Sequence, residues 1–218
     1  MIAVASRRAS SRCNRPPPDT TFLSEEFHMS PYKVPSPTTP LTGKNIRLRL
    51  AETSDAEFIL SLRLNEQLNR YISKTADGLE KQIAWLNTYK EREKNGIEYY
   101  FIVELLDGAP VGTVRIYDFH SDSFCWGSWL IKREAPNYVA IESALNVYEF
   151  AFYSLDFERS HFDVRRDNER VIAFHQRFGA QITHSDAENH FFTYGRADYE
   201  QARIRYRKYL PPMSGHSN

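Results

Sequence analysis

Alternating apolar and polar positions mark the strands of this chain. Ile46, Leu48 and Leu50 alternate with basic residues between Lys44 and Glu52, and a period of two predicts a half-buried strand. Three more apolar segments follow closely at 98–108, 109–119 and 122–132. They predict a meander of antiparallel strands. Gly127 interrupts the third segment, and a glycine within a strand indicates a bulge or a close backbone approach.

Apolar residues at helical spacing predict five helices. The corresponding segments are 53–68, 78–93, 138–155, 168–178 and 196–210. A strand at 159–164 precedes the fourth helix, Gly179 follows it as a left-handed cap, and a hairpin at 180–195 comes next. This order is neither a regular βαβ alternation nor an all-β pattern. It predicts an α/β (α+β) fold with a mixed sheet flanked by helices.

The two ends of the chain differ from its middle. Residues 1–40 are rich in arginine, serine and proline, and such a segment buries too little apolar surface to offset its ordering entropy. We expect a disordered tail at 1–40, one folded domain at 41–210 and a flexible terminus at 211–218. Two alternatives remain open for the tail: it is an organelle-targeting segment, although it lacks an amphipathic period, or translation begins at Met29.

Composition narrows the class of partner. The 28 basic and 28 acidic residues balance, which argues against nucleic acid or an anionic membrane and favours a small molecule. Cys13 and Cys125 have neither metal-site nor disulfide-framework spacing, so we expect reduced thiols and a cytoplasmic location. The seven histidines show no metal-ligand spacing, and the sequence therefore predicts no metal.

One helix carries a motif. Asn168, Val171, Phe174 and Gly179 match the N-x-x-A/V-x-x-x-Y-x-x-x-G pattern of the GNAT superfamily, whose tyrosine position is His175 here. Together with the order of elements, residues 41–195 resemble these acetyl-CoA-dependent N-acetyltransferases. The resemblance implies acetyl-CoA as co-substrate and a central sheet that splays at a bulge.

The resemblance also implies where the cofactor lies. The pantetheine arm would pair like an added strand with the splayed edge, and the pyrophosphate would lie at the start of the next helix. Here that helix start lacks the family's arginine and first glycine. For Trp126 and Trp129 core packing is an equal alternative. The implied cofactor contacts are Ser128, Trp129, Leu130, Tyr138, Val139, Ala140, Asn168 and Phe174.

The same resemblance assigns the chemistry. The backbone N–H of Leu130 would bind the oxyanion, and His175 as an imidazolium would protonate the leaving thiolate. Asp163 is the candidate base. His161, Asp118 and His120 are alternatives. For each of these residues a solvated or capping role stays open.

The acceptor would be covered by the segment 61–75. Asn69, Arg70, Tyr71 and His161 are the candidate acceptor contacts, because they offer hydrogen bonds, a cation and an aromatic face. The pattern is similar to GNAT members that acetylate nucleotide-linked amino sugars. The alternatives are a protein N-terminal amine as acceptor, or a GNAT-like binding domain without turnover. A monomer or a homodimer is expected.

Overall fold

One mixed sheet forms the centre of the molecule. A computed structural model describes the backbone of residues 3–4 and residues 32–71 and 78–212. The strands are β1 (Ala3–Val4), β2 (Leu41–Thr42), β3 (Ile46–Leu50), β4 (Tyr99–Leu105), β5 (Pro110–Tyr117), β6 (Ser123–Ile131), β7 (Arg159–Arg165), β8 (Gln181–Ser185) and β9 (Asn189–Gly195).

Five α-helices flank this sheet, as the sequence predicts. They are α1 (Ala56–Leu64), α2 (Leu79–Lys94), α3 (Tyr138–Glu149), α4 (Glu169–Phe178) and α5 (Arg196–Arg205). Short 3-10 helices occupy Thr53–Asp55, Asn69–Tyr71 and Arg207–Tyr209, and a π-helical turn at Phe150–Ser154 extends α3. The helix predicted at 53–68 is therefore shorter than expected. It begins with the 3-10 turn at Thr53–Asp55, and α1 ends at Leu64.

The strand order confirms the expected mixed sheet. The order is β2-β3-β4-β5-β6-β7-β9-β8, and β1 lies against β6 outside this path. Within the described ranges β6 and β7 are the parallel pair, and the other pairs are antiparallel. A parallel pair needs a crossover, which α3 and its π-helical turn provide.

The parallel pair separates after a short contact. The described register between β6 and β7 consists of Ser123 with Arg159 and Phe124 with Ser160. Farther along, the register of β5 with β6 shifts near Gly127, and Ser128 has a φ of 46°. Thr113 on β5 holds this bulge, because its hydroxyl donates to the Ser128 carbonyl over 2.9 Å. The predicted bulge is thus confirmed and lies beside the gap.

The bulge changes which side chains share a face. Trp126 donates from its indole Nε1 to Tyr148 of α3 over 3.0 Å, and Trp129 donates to Ser143 of the same helix over 3.0 Å. In a regular strand residues three apart lie on opposite faces. The extra residue in the bulge brings both indoles to the α3 side, where they join the main apolar core.

Parts of the N-terminal region contact the folded domain. Ala3 pairs with Leu130 and Val4 with Trp129, both on β6. Val34 is buried, its N–H donates to the Gly96 carbonyl over 3.0 Å, and its carbonyl accepts from the Tyr99 hydroxyl over 2.8 Å. Residues 3–4 and 34 thus contact the folded domain, while the expected tail at 1–40 stays a prediction. Residues 1–2, 5–31 and 213–218 lie outside the described residues.

Two further expectations concern the cellular setting. Cys125 is buried and disulfide-bonded, which corrects the expectation of two reduced thiols; Cys13 lies outside the described residues. The cytoplasmic location rested on that expectation and stays a prediction. No helix in the described ranges has the length and apolar character needed to cross a membrane.

We expect Gly112→Ala to destabilise the fold, because β5 and β6 approach closely at this position. An added Cβ would lie 2.5 Å from the Leu130 carbonyl oxygen and 2.5 Å from Ile131 Cδ1, and overpacking of this kind costs about 1–3 kcal/mol. Urea unfolding followed by circular dichroism measures the loss. Gly195→Ala is the control, since its nearest non-neighbouring atom is 3.4 Å away. Equal unfolding midpoints for the two variants would contradict the expectation.

Candidate functional site

The gap between β6 and β7 offers a strand edge. Beyond Phe124 and Ser160 the described register between the two strands ends, while β6 continues to Ile131. In the structure β1 occupies part of this edge at Trp129 and Leu130. The backbone of these two residues therefore accepts an added extended chain. This is the type of contact expected there for the pantetheine arm.

The start of α3 lies directly after β6, as predicted. Tyr138 is the first residue of the helix, and the Asn137 side chain makes no capping bond. Val139 is buried and its N–H donates to the Pro136 carbonyl over 3.0 Å, whereas Tyr138 and Ala140 are half-buried. First-turn amides at a helix N-terminus favour an anionic group. The glycine-poor sequence thus still forms a helix start beside the gap.

The side chains of Trp129 and Phe174 belong to the core. Their ring centroids lie 5.0 Å apart, and both residues are buried. For Trp129, core packing was the alternative to lining the gap, and the structure supports it for the indole ring. Only the Trp129 backbone borders the gap through its pairing with β1.

His175 is enclosed by aromatic rings. It is 1% exposed, its ring centroid lies 4.3 Å from that of Phe162 and 5.4 Å from that of Trp126, and neither ring nitrogen has a hydrogen-bond partner among the described residues. Burial lowers the pKa of His175 from 6.5 to about 3. Burial therefore keeps the ring neutral near pH 7 in this structure, and the role of His175 as proton donor to the thiolate stays a prediction.

Asn168 precedes α4 at its N-cap position. The residue is 4% exposed, and its side chain makes no capping bond within the described part of the chain. The helix ends as predicted, because Gly179 has a φ of 111° and its N–H donates to the His175 carbonyl over 3.1 Å. Capping of α4 therefore does not explain the burial of the Asn168 side chain.

The face of the sheet opposite the aromatic rings around His175 is polar beside the gap. His161 and Asp163 alternate with the buried core residue Phe162 on β7 and therefore point to the α1–α2 side. Burial raises the pKa of Tyr117 on β5, Arg115 partly offsets this, and the carboxylates of Asp163 and Asp118 raise the pKa further. Tyr117 thus keeps its phenolic proton, and the Asp163 carboxylate that raises its pKa belongs to a residue that is 2% exposed.

One cluster on this face was not expected from spacing. His161 Nε2 lies 3.2 Å from Asp118 Oδ2, and His120 Nε2 lies 3.5 Å from Asp118 Oδ1. The spacing of the histidines predicted no metal, and that stays a prediction, but these three groups lie close enough to hold a metal ion together. Asp118 lies in the turn after β5 and His161 on β7, and no local motif marks their proximity.

Asn69, Arg70 and Tyr71 form a 3-10 helix at the far end of β7. The Tyr71 hydroxyl donates to the Asp167 carbonyl over 3.0 Å, and the Arg70 guanidinium lies 5.2 Å from the Tyr71 ring centroid. His161, the fourth predicted acceptor contact, lies near the start of β7. Four residues of strand separate His161 from Arg165 at the end of β7 and span about 13 Å, so the predicted acceptor residues lie at two ends of one polar strip along β7 rather than at one point.

Comparison with known proteins identifies the family of this architecture. The family described as Acetyltransferase (GNAT) domain matches residues 45–181. A solved structure described as apo FdhC, a nucleotide-linked sugar GNAT, is 45% identical, covers 79% of this chain and 99% of that chain, and has a TM-score of 0.73. A putative ribosomal-protein-serine acetyltransferase from Vibrio cholerae is 18% identical, with coverage of 73% and 99% and a TM-score of 0.62, which shows the shared fold. No curated protein matches.

The buried His175 predicts a specific acid sensitivity. The unfolded chain binds a proton near pH 6.5, whereas folded His175 does so only near pH 3, so stability is full above pH 6.5 and falls as the pH drops toward 3. The slope is at most about 1.4 kcal/mol per pH unit. We expect His175→Phe to reduce this loss in urea unfolding between pH 7 and pH 4. Equal acid sensitivity of variant and parent would contradict the assignment.

Proposed function

The chain belongs to the GNAT acetyltransferase family, and on that basis we propose that it transfers the acetyl group of acetyl-CoA to the amino group of a nucleotide-linked amino sugar. The acetyltransferase activity follows from the family. The observation that supports an amino sugar as acceptor is the 45% identity to a nucleotide-linked sugar GNAT, of which 99% of the chain is covered. The alternative of a protein N-terminal amine has only a relative at 18% identity in its favour.

Acetyl-CoA binding is supported by the gap between β6 and β7. The edge at Ser128, Trp129 and Leu130 presents backbone groups, and its pairing with Ala3 and Val4 demonstrates its capacity for strand addition. The pyrophosphate would lie at the start of α3, formed by Tyr138, Val139 and Ala140, where the N–H groups of Tyr138 and Ala140 are the donors because that of Val139 already donates to Pro136. In this proposal the cofactor contacts Asn168 and backbone groups of Trp129 and Phe174. The rings of these two aromatic residues are buried in the core.

The proposed chemistry needs no charged histidine. The N–H of Leu130 would stabilise the oxyanion that forms when the amine attacks the thioester carbonyl. His175 would donate a hydrogen bond from its neutral ring to the sulfur, because its two unpartnered buried nitrogens gain from any polar partner. The role of Asp163 as acceptor of the amine proton stays a prediction, supported by its placement on the polar face beside Tyr117.

The polar strip along β7 suits an elongated acceptor. The amino sugar would approach His161 near the closed end of the gap, and the nucleotide would lie toward Asn69, Arg70 and Tyr71. Arg70 offers a cation and Tyr71 an aromatic ring, which suit a phosphate and a base. A short amine such as a free sugar fills only one end of this strip.

Comparison of acceptors tests this proposal. Nucleotide-linked amino sugars, the matching free amino sugars and short peptides with a free N-terminus are each incubated with acetyl-CoA, and thiol release and product mass are measured. We expect a kcat/KM about 100-fold higher for the nucleotide-linked form than for the free sugar, equivalent to about 2.7 kcal/mol. Peptides that are acetylated with equal or higher kcat/KM would contradict the proposed acceptor.

Pairing of β1 with the β6 edge predicts competition with acetyl-CoA. Deleting residues 1–31, which leaves Val34 in place, should tighten acetyl-CoA binding by about fivefold relative to the full chain with Cys13→Ser, which likewise lacks Cys13, since one backbone hydrogen bond contributes about 1 kcal/mol net. Val4→Pro in the full chain should act in the same direction, because proline removes the backbone N–H.

Isothermal titration of acetyl-CoA measures the effect. Deletion of residues 213–218 is the matched control, and it should leave the affinity unchanged. An affinity that neither the N-terminal deletion nor Val4→Pro improves would show that β1 does not compete for this edge.

A further inference from the structure

Three potential metal ligands converge beside the closed end of the gap. They are Asp118, His120 and His161, and their ligand atoms lie within 4.8 Å of one another. Each imidazole directs its Nε2 to a different oxygen of the same carboxylate, at 3.2 Å for His161 and 3.5 Å for His120. The two rings stack with their centroids 4.7 Å apart and their planes 20° from parallel. The Nε2 atoms of His120 and His161 thus both approach the Asp118 carboxylate.

A second contact orients His161. Its Nδ1 lies 3.1 Å from the Ser123 hydroxyl. Metal-ligating histidines typically donate their other ring N–H to an oxygen acceptor, which fixes the tautomer. A serine hydroxyl can accept such a bond, so Ser123 can hold the His161 ring when a metal ion replaces the proton between Nε2 and Asp118.

The backbone places these groups firmly. The His120 N–H donates to the Ser123 carbonyl over 2.8 Å, which fixes the turn between β5 and β6. The Asp122 carbonyl accepts from the N–H groups of Glu158 and Arg159 over 2.9 and 3.1 Å and so joins this turn to the start of β7. Asp118 has a left-handed φ of 51°, a conformation that aspartate tolerates better than most residues. The candidate ligands are therefore held on connected elements.

The cluster is also accessible to an ion. The His120 side chain is 46% exposed, that of His161 26% and that of Asp118 16%. A set of two imidazoles and one carboxylate is a common set of three protein ligands for divalent zinc and iron, and such sites keep a further coordination position open. The two imidazole nitrogens disfavour magnesium and calcium, which prefer a shell of oxygens.

We propose that Asp118, His120 and His161 form a binding site for a divalent first-row transition-metal ion, with Zn²⁺ as the probe. His161 and His120 bind through Nε2, Asp118 binds through its carboxylate, and Ser123 orients His161. An open coordination position faces the polar side of the gap. The inference is independent of the proposed acetyl transfer, because the three ligands converge without acetyl-CoA or an acceptor.

Direct metal titration tests the site. The untagged full chain, freed of metal by dialysis against a chelator, is titrated with Zn²⁺ in competition with a chromophoric chelator, without acetyl-CoA or acceptor. We expect one Zn²⁺ per chain with a low-micromolar or tighter Kd. His161→Ala, His120→Ala and Asp118→Asn should each weaken binding by at least about 100-fold. Ser123→Ala should weaken it by about 10-fold, as for other groups that orient a ligand.

His190→Ala is the matched control. His190 also has Nδ1 beside a serine hydroxyl, Ser185 Oγ at 2.6 Å, but it belongs to no group of potential metal ligands found among the described residues. It should keep the parent affinity. Thermal unfolding of each variant shows that it is folded, and exposed His120 provides a variant that the fold should tolerate. No Zn²⁺ binding below about 100 μM, or binding that all three ligand variants retain, would overturn the proposal.

Discussion

The short parallel contact between β6 and β7 is the constraint on which the rest of the structure depends. In the described register, two residue pairs join these strands, Ser123 with Arg159 and Phe124 with Ser160, and the bulge at Ser128 then turns β6 away from a regular ladder. A sheet that opens in its middle leaves backbone groups without their usual partners, and these groups require another chain, a ligand or water. The gap thus presents a strand edge with which an added chain or a ligand can pair.

The two faces of this gap have different chemistry. On the α3–α4 side the bulge brings Trp126 and Trp129 together, and with Phe162 they enclose His175 in apolar surroundings. On the α1–α2 side Tyr117, His161 and Asp163 form a polar surface. A ring at the position of His175 is consequently dry and neutral, whereas groups on the other face can exchange protons, bind ions and contact a polar acceptor.

The sequence predicted what depends on local pattern. The alternation at Ile46–Leu50, the glycine at the β6 bulge and the Gly179 cap of α4 each follow from periodicity or backbone preference within a few residues. It did not predict features that depend on several distant segments. The protonation state of His175 results from aromatic rings on β6, β7, α4 and β9. The meeting of Asp118 with His161 requires the β6–β7 register, and the pairing of Ala3–Val4 requires the open edge itself.

Hydrogen exchange tests most directly the claim that the gap between β6 and β7 holds the cofactor. Exchange is measured by mass spectrometry for peptides covering 126–131 on β6, with and without saturating acetyl-CoA, in a chain lacking residues 1–31 so that β1 contributes no protection. The account predicts slower exchange in these peptides and unchanged exchange in those covering β4. Unchanged exchange at 126–131, at an acetyl-CoA concentration for which calorimetry shows saturation, would contradict it.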